Sequence, residues 1–158
     1  MKKFNWFTVL LFIVGCEVMG SLGSVFTAPA IPAWYSSLVK PNLNPPNWVF
    51  GPVWTTLFAL MGVSAYLVWR KGWKKRQVKE AINVFVAQFV FNVFWSFLFF
   101  GLHSPLFGLF DIAVMWVLIV ITIGKFYKVD NLAGLLLVPY LLWVSFATYL
   151  NFMVLVLN

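Results

Sequence analysis

The sequence is poor in the residues on which disulfide-bonded proteins, metalloproteins and water-soluble enzymes depend. Its 158 residues include one cysteine, Cys16, so neither an intramolecular disulfide nor a cysteine-based metal site is possible. They also include one histidine, His103, and a lone histidine in a turn is a poor metal or haem ligand. Only 9% of the residues are charged, which excludes a water-soluble domain, and the four acidic residues form no evident acid–base pair.

The sequence consists mainly of apolar side chains, which make up 63% of it and fall into five long runs. Each run is long enough to cross a hydrocarbon core of about 30 Å at about 1.5 Å per helical residue. We therefore predict an all-α integral membrane protein, one domain spanning residues 1–158, with five transmembrane helices in a single bundle. The helices are expected near residues 4–27, 48–69, 81–101, 106–125 and 132–157, with a lid at residues 28–47.

The formal net charge of +7 is distributed asymmetrically along the chain. If the N-terminus is cytoplasmic, every lysine and arginine except Lys40 lies on the cytoplasmic side of the five predicted helices. The positive-inside rule then predicts N-terminus in, C-terminus out and an exterior lid. The basic cluster at residues 70–79 is accordingly a topology determinant and not a nucleic-acid site. We expect a multi-pass protein of the plasma membrane, and an outer membrane is the alternative location.

The N-terminus also has features of a signal peptide. Lys2 and Lys3 precede an apolar run, and residues 13–16 resemble a lipoprotein cleavage box. Because the apolar sequence continues past Cys16 to Phe26, we interpret this segment as a complete span. Cleavage would instead leave four spans.

The first predicted helix carries small residues spaced by four, and one acid. Cys16, Gly20, Ser24 and Ala28 form a close-packing seam for a neighbouring helix or a second subunit. Glu17 lies at a depth where an ionised carboxylate is costly. We favour a protonated or hydrogen-bonded buried acid at this position over a proton or cation site.

Three other predicted helices each present one face of aromatic, amide and small residues. The face of the second helix consists of Trp54, Phe58, Met61 and Ala65. That of the third consists of Gln88, Asn92, Trp95 and Ser96, and that of the fifth of Tyr140, Trp143, Ala147 and Asn151. Amide and hydroxyl groups in hydrocarbon need partners inside the bundle, so the face of the third helix should point inward. A structural polar seam and a ligand site fit that helix equally well. Pro139 should kink the fifth helix just before its polar face.

The fourth predicted helix contains one acid, Asp111, within its first two turns. An acid inside a membrane helix is by default a candidate functional residue. The alternative for Asp111 is a hydrogen bond that pins two helices together.

The segment at residues 34–58, WYSSLVKPNLNPPNWVFGPVWTTLF, joins the lid to the second helix. Pro41, Pro45 and Pro46 stiffen the loop, so it loses little conformational entropy when it packs. Asn47 is expected to cap the helix that follows. Together with the three inward faces, this lid predicts a mostly apolar pocket for a flat, bulky ligand.

Most of the chain resembles the TspO/MBR family of tryptophan-rich sensory proteins, which includes the translocator proteins or peripheral benzodiazepine receptors. The resemblance is carried by the string WY-x4-KP-x3-PP-x-WVFGPVW at residues 34–54, and by FNVFWSFLFFG, LFDIAVMW and PYLLWVSFATYLN further along. It implies a five-helix bundle, commonly a homodimer, that binds porphyrins, including protoporphyrin IX and haem, and benzodiazepine- or isoquinoline-type compounds. Animal members also bind cholesterol.

The resemblance also implies site residues. Those that match the family's pocket are Tyr35 in the lid, Trp54, Asn92, Trp143 and Ala147. The predicted ligand-binding set is completed by Pro45, Phe58, Trp95, Ser96 and Asp111. The family's proposed cholesterol motif requires a basic residue after the fifth-helix tyrosine, and none follows Tyr149, which speaks against sterol recognition through that segment.

The first functional hypothesis is a membrane receptor or scavenger for a tetrapyrrole, with no obligatory cofactor and no metal. Some bacterial relatives are reported to degrade protoporphyrin IX in light, and the resemblance permits such chemistry here, with Trp54 and Trp143 as the photochemical residues. The second hypothesis is a transporter of porphyrin or lipid precursors. The third is a scaffold whose tryptophans only pack.

Overall fold

The computed structural model describes residues 3–158, and within them every regular element is helical. The helices are α1, Trp6–Ser21; α2, Ser24–Ala30; α3, Asn47–Arg70; α4, Arg76–Ser96; α5, Pro105–Val129; α6, Asn131–Leu135; and α7, Val138–Leu157. Wider π-helical turns, Ile31–Tyr35 and Phe97–Gly101, continue α2 and α4. The all-helical fold class that the sequence predicts is therefore confirmed.

Four helical stretches of the described chain are long and apolar enough to cross a membrane. They are Asn47–Arg70, Arg76–Gly101, Pro105–Val129 and Asn131–Leu157. The pair Trp6–Ser21 and Ser24–Tyr35 makes a fifth span if it is counted as one, although it bends by 45°. The protein is thus an integral membrane bundle. The placement of its N-terminus inside and its C-terminus outside stays a prediction.

The first span is not the straight helix that was expected at residues 4–27. It breaks at Leu22 and Gly23, whose N–H groups donate to Met19 and Gly20, as in a tighter 3₁₀ turn. Gly23 allows a close approach at this bend, because a Cβ there would lie 2.6 Å from the Ser96 hydroxyl and would force that side chain to move. The break therefore brings the chain close to the end of α4.

The lid is also more ordered than the sequence predicts. Residues 28–37 are helical, so the irregular part is only 38–46. Asn47 is the first residue of α3 and not its cap; Pro46 takes the N-cap position with an extended ψ of 145°. The expected Asn47 cap is wrong, because Pro46 already holds the extended conformation that a cap requires.

The fifth predicted span is divided into α6 and α7. The discontinuity falls at Leu136 and Leu137, and Pro139 lies in the first turn of α7, where its missing N–H costs nothing. The sequence predicts a kink just before the polar face, and the break lies there; it divides the span into two helices, with Pro139 at the start of the second. The Asp130 side chain caps α6 by accepting from the N–H of Ala133 at 3.2 Å.

The spans follow one another around the bundle in the order first, second, fifth, fourth, third, and back to the first. The seam between the first and second spans is the tightest, since a Cβ on Gly62 would lie 2.6 Å from the Ile13 Cα. A second tie joins α3 to α6, where the Ser64 hydroxyl donates to the Ala133 carbonyl at 2.6 Å. The second span is thus tied to both of its neighbours in the ring, the first and the fifth spans.

One end of the bundle, which we call the basic end, gathers the cationic residues. There Glu80 at the start of α4 accepts from Arg76 at 2.7 Å and from Lys125 of α5 at 3.5 Å. At the same end Lys71 lies 2.8 Å from Asp130. Burial alone would raise the pKa of Asp130, but the hydrogen bond and charge of Lys71, with the backbone N–H groups at the start of α6, lower it below its ordinary value.

Candidate functional site

A cavity of about 440 Å³ lies toward the other end of the bundle. Its wall is made by the end of α1, by α2, by the first half of α3, by the last turns of α4 and by α7. These segments meet because α3 starts where α4 ends, while the break at Gly23 turns α2 across them. Three of the four seam residues of the first span, Gly20, Ser24 and Ala28, lie on this wall. Without bulky side chains, that wall leaves room for the cavity.

The predicted inward faces meet at this cavity or in the core beneath it. Eight of the ten predicted ligand residues lie on the wall, namely Tyr35, Trp54, Phe58, Asn92, Trp95, Ser96, Trp143 and Ala147. The other two do not: Pro45 is half-buried in the lid away from the wall, and Asp111 lines a separate groove between α5 and the end of α4. Whether the eight bind a ligand stays a prediction.

A stack of aromatic rings forms the α3 side of the wall. Trp54 stacks on Phe58 with ring centroids 5.3 Å apart, and Phe58 stacks on Phe89 at 5.6 Å. The edge of Trp54 also faces Tyr140 of α7 at 6.4 Å. Because each ring rests on the next, the plane of the Trp54 indole is held in place, which suits stacking on a flat ligand.

The tryptophans around the cavity differ in what their indole N–H groups do. Trp95 donates to Asn151 at 3.0 Å, and Asn151 in turn donates to the Pro105 carbonyl at 2.7 Å. The indole nitrogen of Trp143 is also buried, but it has no hydrogen-bond partner among the described residues. A buried donor without a partner costs about 1–3 kcal/mol, so Trp143 holds an unpaired donor that is covered beside the wall.

A buried polar network connects the wall with the core. The Asn92 amide donates to the Tyr140 hydroxyl at 3.0 Å, and that hydroxyl donates to the Gln88 carbonyl oxygen at 2.9 Å. Asn92 lies on the cavity wall, whereas Gln88 and Tyr140 are almost completely buried. The alternatives for the third-helix face thus apply to different residues: Gln88 serves a structural polar seam, and Asn92 is available to a ligand site.

The lid covers the cavity through contacts with two distant parts of the chain. Trp34 stacks on His103 with centroids 4.7 Å apart, so the histidine is a packing partner of the lid. The Tyr35 hydroxyl donates to Asn44 at 3.0 Å. The Asn158 side chain accepts from the N–H of Val39 at 2.9 Å and donates to its carbonyl at 3.1 Å. The lid is therefore tied to the end of α7.

Two acids lie elsewhere than the sequence suggested. Asp111 is 5% exposed, and neither carboxylate oxygen has a hydrogen-bond partner in the described chain, so the helix-pinning hydrogen bond is absent there. Glu17 is half-buried on the cavity wall and makes no hydrogen bond or ion pair in the described residues. Of the two forms of the preferred interpretation, the hydrogen-bonded acid is wrong for the described residues, because Glu17 lies half-buried at a cavity without a partner, whereas a protonated acid stays a prediction. Its spacing from Gly20 and Ser24, one and two turns away, was the available signal.

Other wall residues were missed because they carry no distinctive chemistry. They include Thr27, Phe50, Phe99, Phe100, Leu150 and Val154. Within residues 3–158 there is no group of three or more histidine, cysteine, aspartate or glutamate side chains that could hold a metal ion. The site is thus an aromatic cavity with an amide, one unused indole donor and one acid.

Comparison with known proteins identifies the family. The TspO/MBR family profile matches residues 12–157. The chain is 49% identical over 151 residues to the Tryptophan-rich protein TspO of Chlorobaculum tepidum, covering 96% of each chain. It is 41% identical to the protein of the same name from Archaeoglobus fulgidus, covering 98% of this chain and 99% of that one. The Translocator protein of Homo sapiens is 34% identical, with coverage of 94% and 89%.

Proposed function

Because the chain belongs to the TspO/MBR family of membrane proteins, we propose that it is a receptor whose cavity binds a flat, largely apolar tetrapyrrole. Protoporphyrin IX is the expected ligand, with haem and benzodiazepine- or isoquinoline-type compounds as further candidates. The cavity volume of about 440 Å³ lies within the usual range of small-molecule sites, about 300–1,000 Å³. A ring larger than the cavity would extend toward the lid.

The observation that carries this proposal is the indole N–H of Trp143, a wall residue whose nitrogen is buried beside the cavity and has no hydrogen-bond partner in the described chain. A purely packing role for the tryptophans would favour pairing that donor, as Trp95 and Trp116 do with Asn151 and Ser145. A ligand acceptor would satisfy it, while Trp54 offers a fixed face for stacking.

The metal-free ring is the better fit than haem. The wall residues include no histidine, cysteine or methionine, so a haem iron would meet only the oxygen ligands of Glu17 and Tyr35. Under illumination, a porphyrin held against Trp54 or Trp143 would pass an electron to or from the indole, or pass its excitation energy to dissolved oxygen. Light-dependent loss of the bound porphyrin is therefore an expected consequence of binding.

The test is titration of the detergent-purified protein with protoporphyrin IX in the dark, followed by illumination. We expect saturable quenching of tryptophan fluorescence. Trp143→Phe should weaken binding about fivefold, the value of one ordinary hydrogen bond, and slow the light-dependent loss of the porphyrin bands. Trp54→Phe should do the same through reduced stacking, because the ring volume largely survives.

The matched control is Trp116→Phe, which removes an indole from the outer surface of α5, away from the cavity. It should leave both affinity and photochemistry unchanged. Equal behaviour of all three variants would refute the assignment of the cavity. Binding without photochemistry would support a receptor or carrier, and the absence of saturable binding would favour a lipid-like ligand or a scaffold. The homodimer implied by the resemblance and the plasma-membrane location stay predictions.

A further inference from the structure

Among residues 3–158, Glu17 is the only charged side chain on the cavity wall. Two of the other acids form ion pairs at the basic end. Glu80 pairs with Arg76 and Lys125, and Asp130 pairs with Lys71. In the described chain no cation lies within ion-pair distance of Glu17, and no donor lies within hydrogen-bond distance. Its carboxylate is thus an unused acceptor that faces the space a ligand would occupy.

The surroundings of Glu17 do not compensate its charge. Its neighbours on the same wall are Gly20, Ser21 and Ser24, which are small and uncharged. The hydroxyl of Ser21 donates to the Val18 carbonyl at 2.8 Å, and that of Ser24 donates to the Ser21 carbonyl at 2.6 Å, so neither serves the acid. An acid in a membrane helix without a partner is costly unless a ligand or ion supplies one.

The lid contributes the opposite charge. Lys40 lies over the ring of Tyr35 with its ammonium nitrogen 4.7 Å from the ring centroid, and it donates to the Leu38 carbonyl at 3.2 Å. Tyr35 itself lines the cavity. Lys40 itself is not on the wall, so the carboxylate of Glu17 is the charged group that a ligand in the cavity would meet.

We propose that Glu17 determines the specificity and the orientation of the ligand, by accepting from a cationic or N–H group brought to the α1 wall and by excluding carboxylates from it. This inference rests on the proposed function, since it concerns the same cavity. The preferred ligand is a flat aromatic molecule with a positively charged or N–H-bearing edge. An anionic porphyrin binds with its carboxylates turned away from Glu17.

The experiment compares three ligands with the same macrocycle and different charge. They are protoporphyrin IX, its uncharged dimethyl ester, and the diamide that carries a tertiary ammonium group on each side chain. Affinities are measured by fluorescence quenching in an uncharged detergent at low salt, where screening is weakest. The wild type should bind the cationic diamide more tightly than protoporphyrin IX.

Glu17→Gln should reduce that preference about tenfold, because a charge-assisted hydrogen bond is replaced by a neutral one. Glu17→Asp, which keeps the carboxylate, should retain part of the preference. Glu80→Gln is the control, because it removes an acid at the basic end, and it should leave the ratio of affinities unchanged.

The outcomes separate this inference from the function on which it rests. An unchanged ratio in a Glu17→Gln protein that still binds the uncharged ester would overturn the role of Glu17 and leave the porphyrin site standing. If the wild type binds none of the three ligands saturably, the proposed function fails. An equal loss of the preference in Glu80→Gln would also overturn the inference, because the effect would then be one of overall charge.

Discussion

Replacing Gly62 by alanine should separate the first two spans, because no side-chain movement relieves the contact. The added Cβ would lie 2.6 Å from the Cα of Ile13, 2.8 Å from its nitrogen and 2.8 Å from the carbonyl oxygen of Phe12. All three are backbone atoms, so α1 must move by roughly 0.9 Å to restore an ordinary contact of about 3.5 Å. Overpacking of this kind costs about 1–3 kcal/mol.

The assay is the rate at which a maleimide labels Cys16, the only thiol of the chain. Cys16 is 8% exposed and packs in the core one turn beyond Ile13, so it reacts only when α1 opens. If opening is fast and reversible, the labelling rate follows the opening equilibrium. A cost of about 1–3 kcal/mol then corresponds to labelling about 5-fold to 160-fold faster.

The control is Gly124→Ala in α5, where an added Cβ meets no atom within 4 Å. It carries the same gain in helix propensity, at most about 1 kcal/mol, without the steric cost. The difference between the two variants isolates the contact of α1 with α3. If Gly62→Ala labels no faster than Gly124→Ala, the close approach of the two backbones is refuted.

Two further predictions concern a buried hydrogen bond and a partly exposed ion pair. Asn151→Leu leaves the indole N–H of Trp95 without its partner and should lower the free energy of unfolding in detergent by about 1–3 kcal/mol. Ser145→Ala removes the partner of the Trp116 indole at an exposed site and should cost less. Equal losses in the two variants would contradict the buried bond. Because the pKa of Asp130 is lowered in the folded protein, its ion pair with Lys71 contributes stability above about pH 4, and that contribution is lost as the pH falls through the lowered value. Asp130→Asn keeps a capping oxygen and should flatten this pH dependence in a melting series; an unchanged acid limb would show that other carboxylates cause it.

The periodic faces could be predicted from the sequence because helix geometry sets them locally. Phe58, Met61 and Ala65 are buried as expected, and so are Gln88 and Tyr140. The residues on these faces meet at one cavity because the spans pack as a closed ring. Predictions about helix ends were less exact: Asn47 lies inside α3 because Pro46 takes the cap position, and Pro139 lies in the first turn of α7, just after the break in the fifth span.

The tryptophans mark the limit of the sequence. Trp95, Trp116 and Trp143 all lie in apolar helices, yet two of them donate to a partner and one does not. Those partners are 56 and 29 residues away on another helix, so only the rotation and crossing of the helices decide which donor is used. Glu17 is a similar case, because its exposure to the cavity depends on the bend at Gly23 and on the position of α2.

The sequence by itself determined that this is a membrane-spanning helical protein and which faces of its helices turn inward. Both properties depend on hydropathy and on a period of about 3.6 residues, which are read along the chain. Only the tertiary structure decided which polar groups are left without partners at the cavity. That outcome depends on distances between helices that are far apart in sequence, such as the 3.0 Å between the Trp95 indole nitrogen and the Asn151 oxygen.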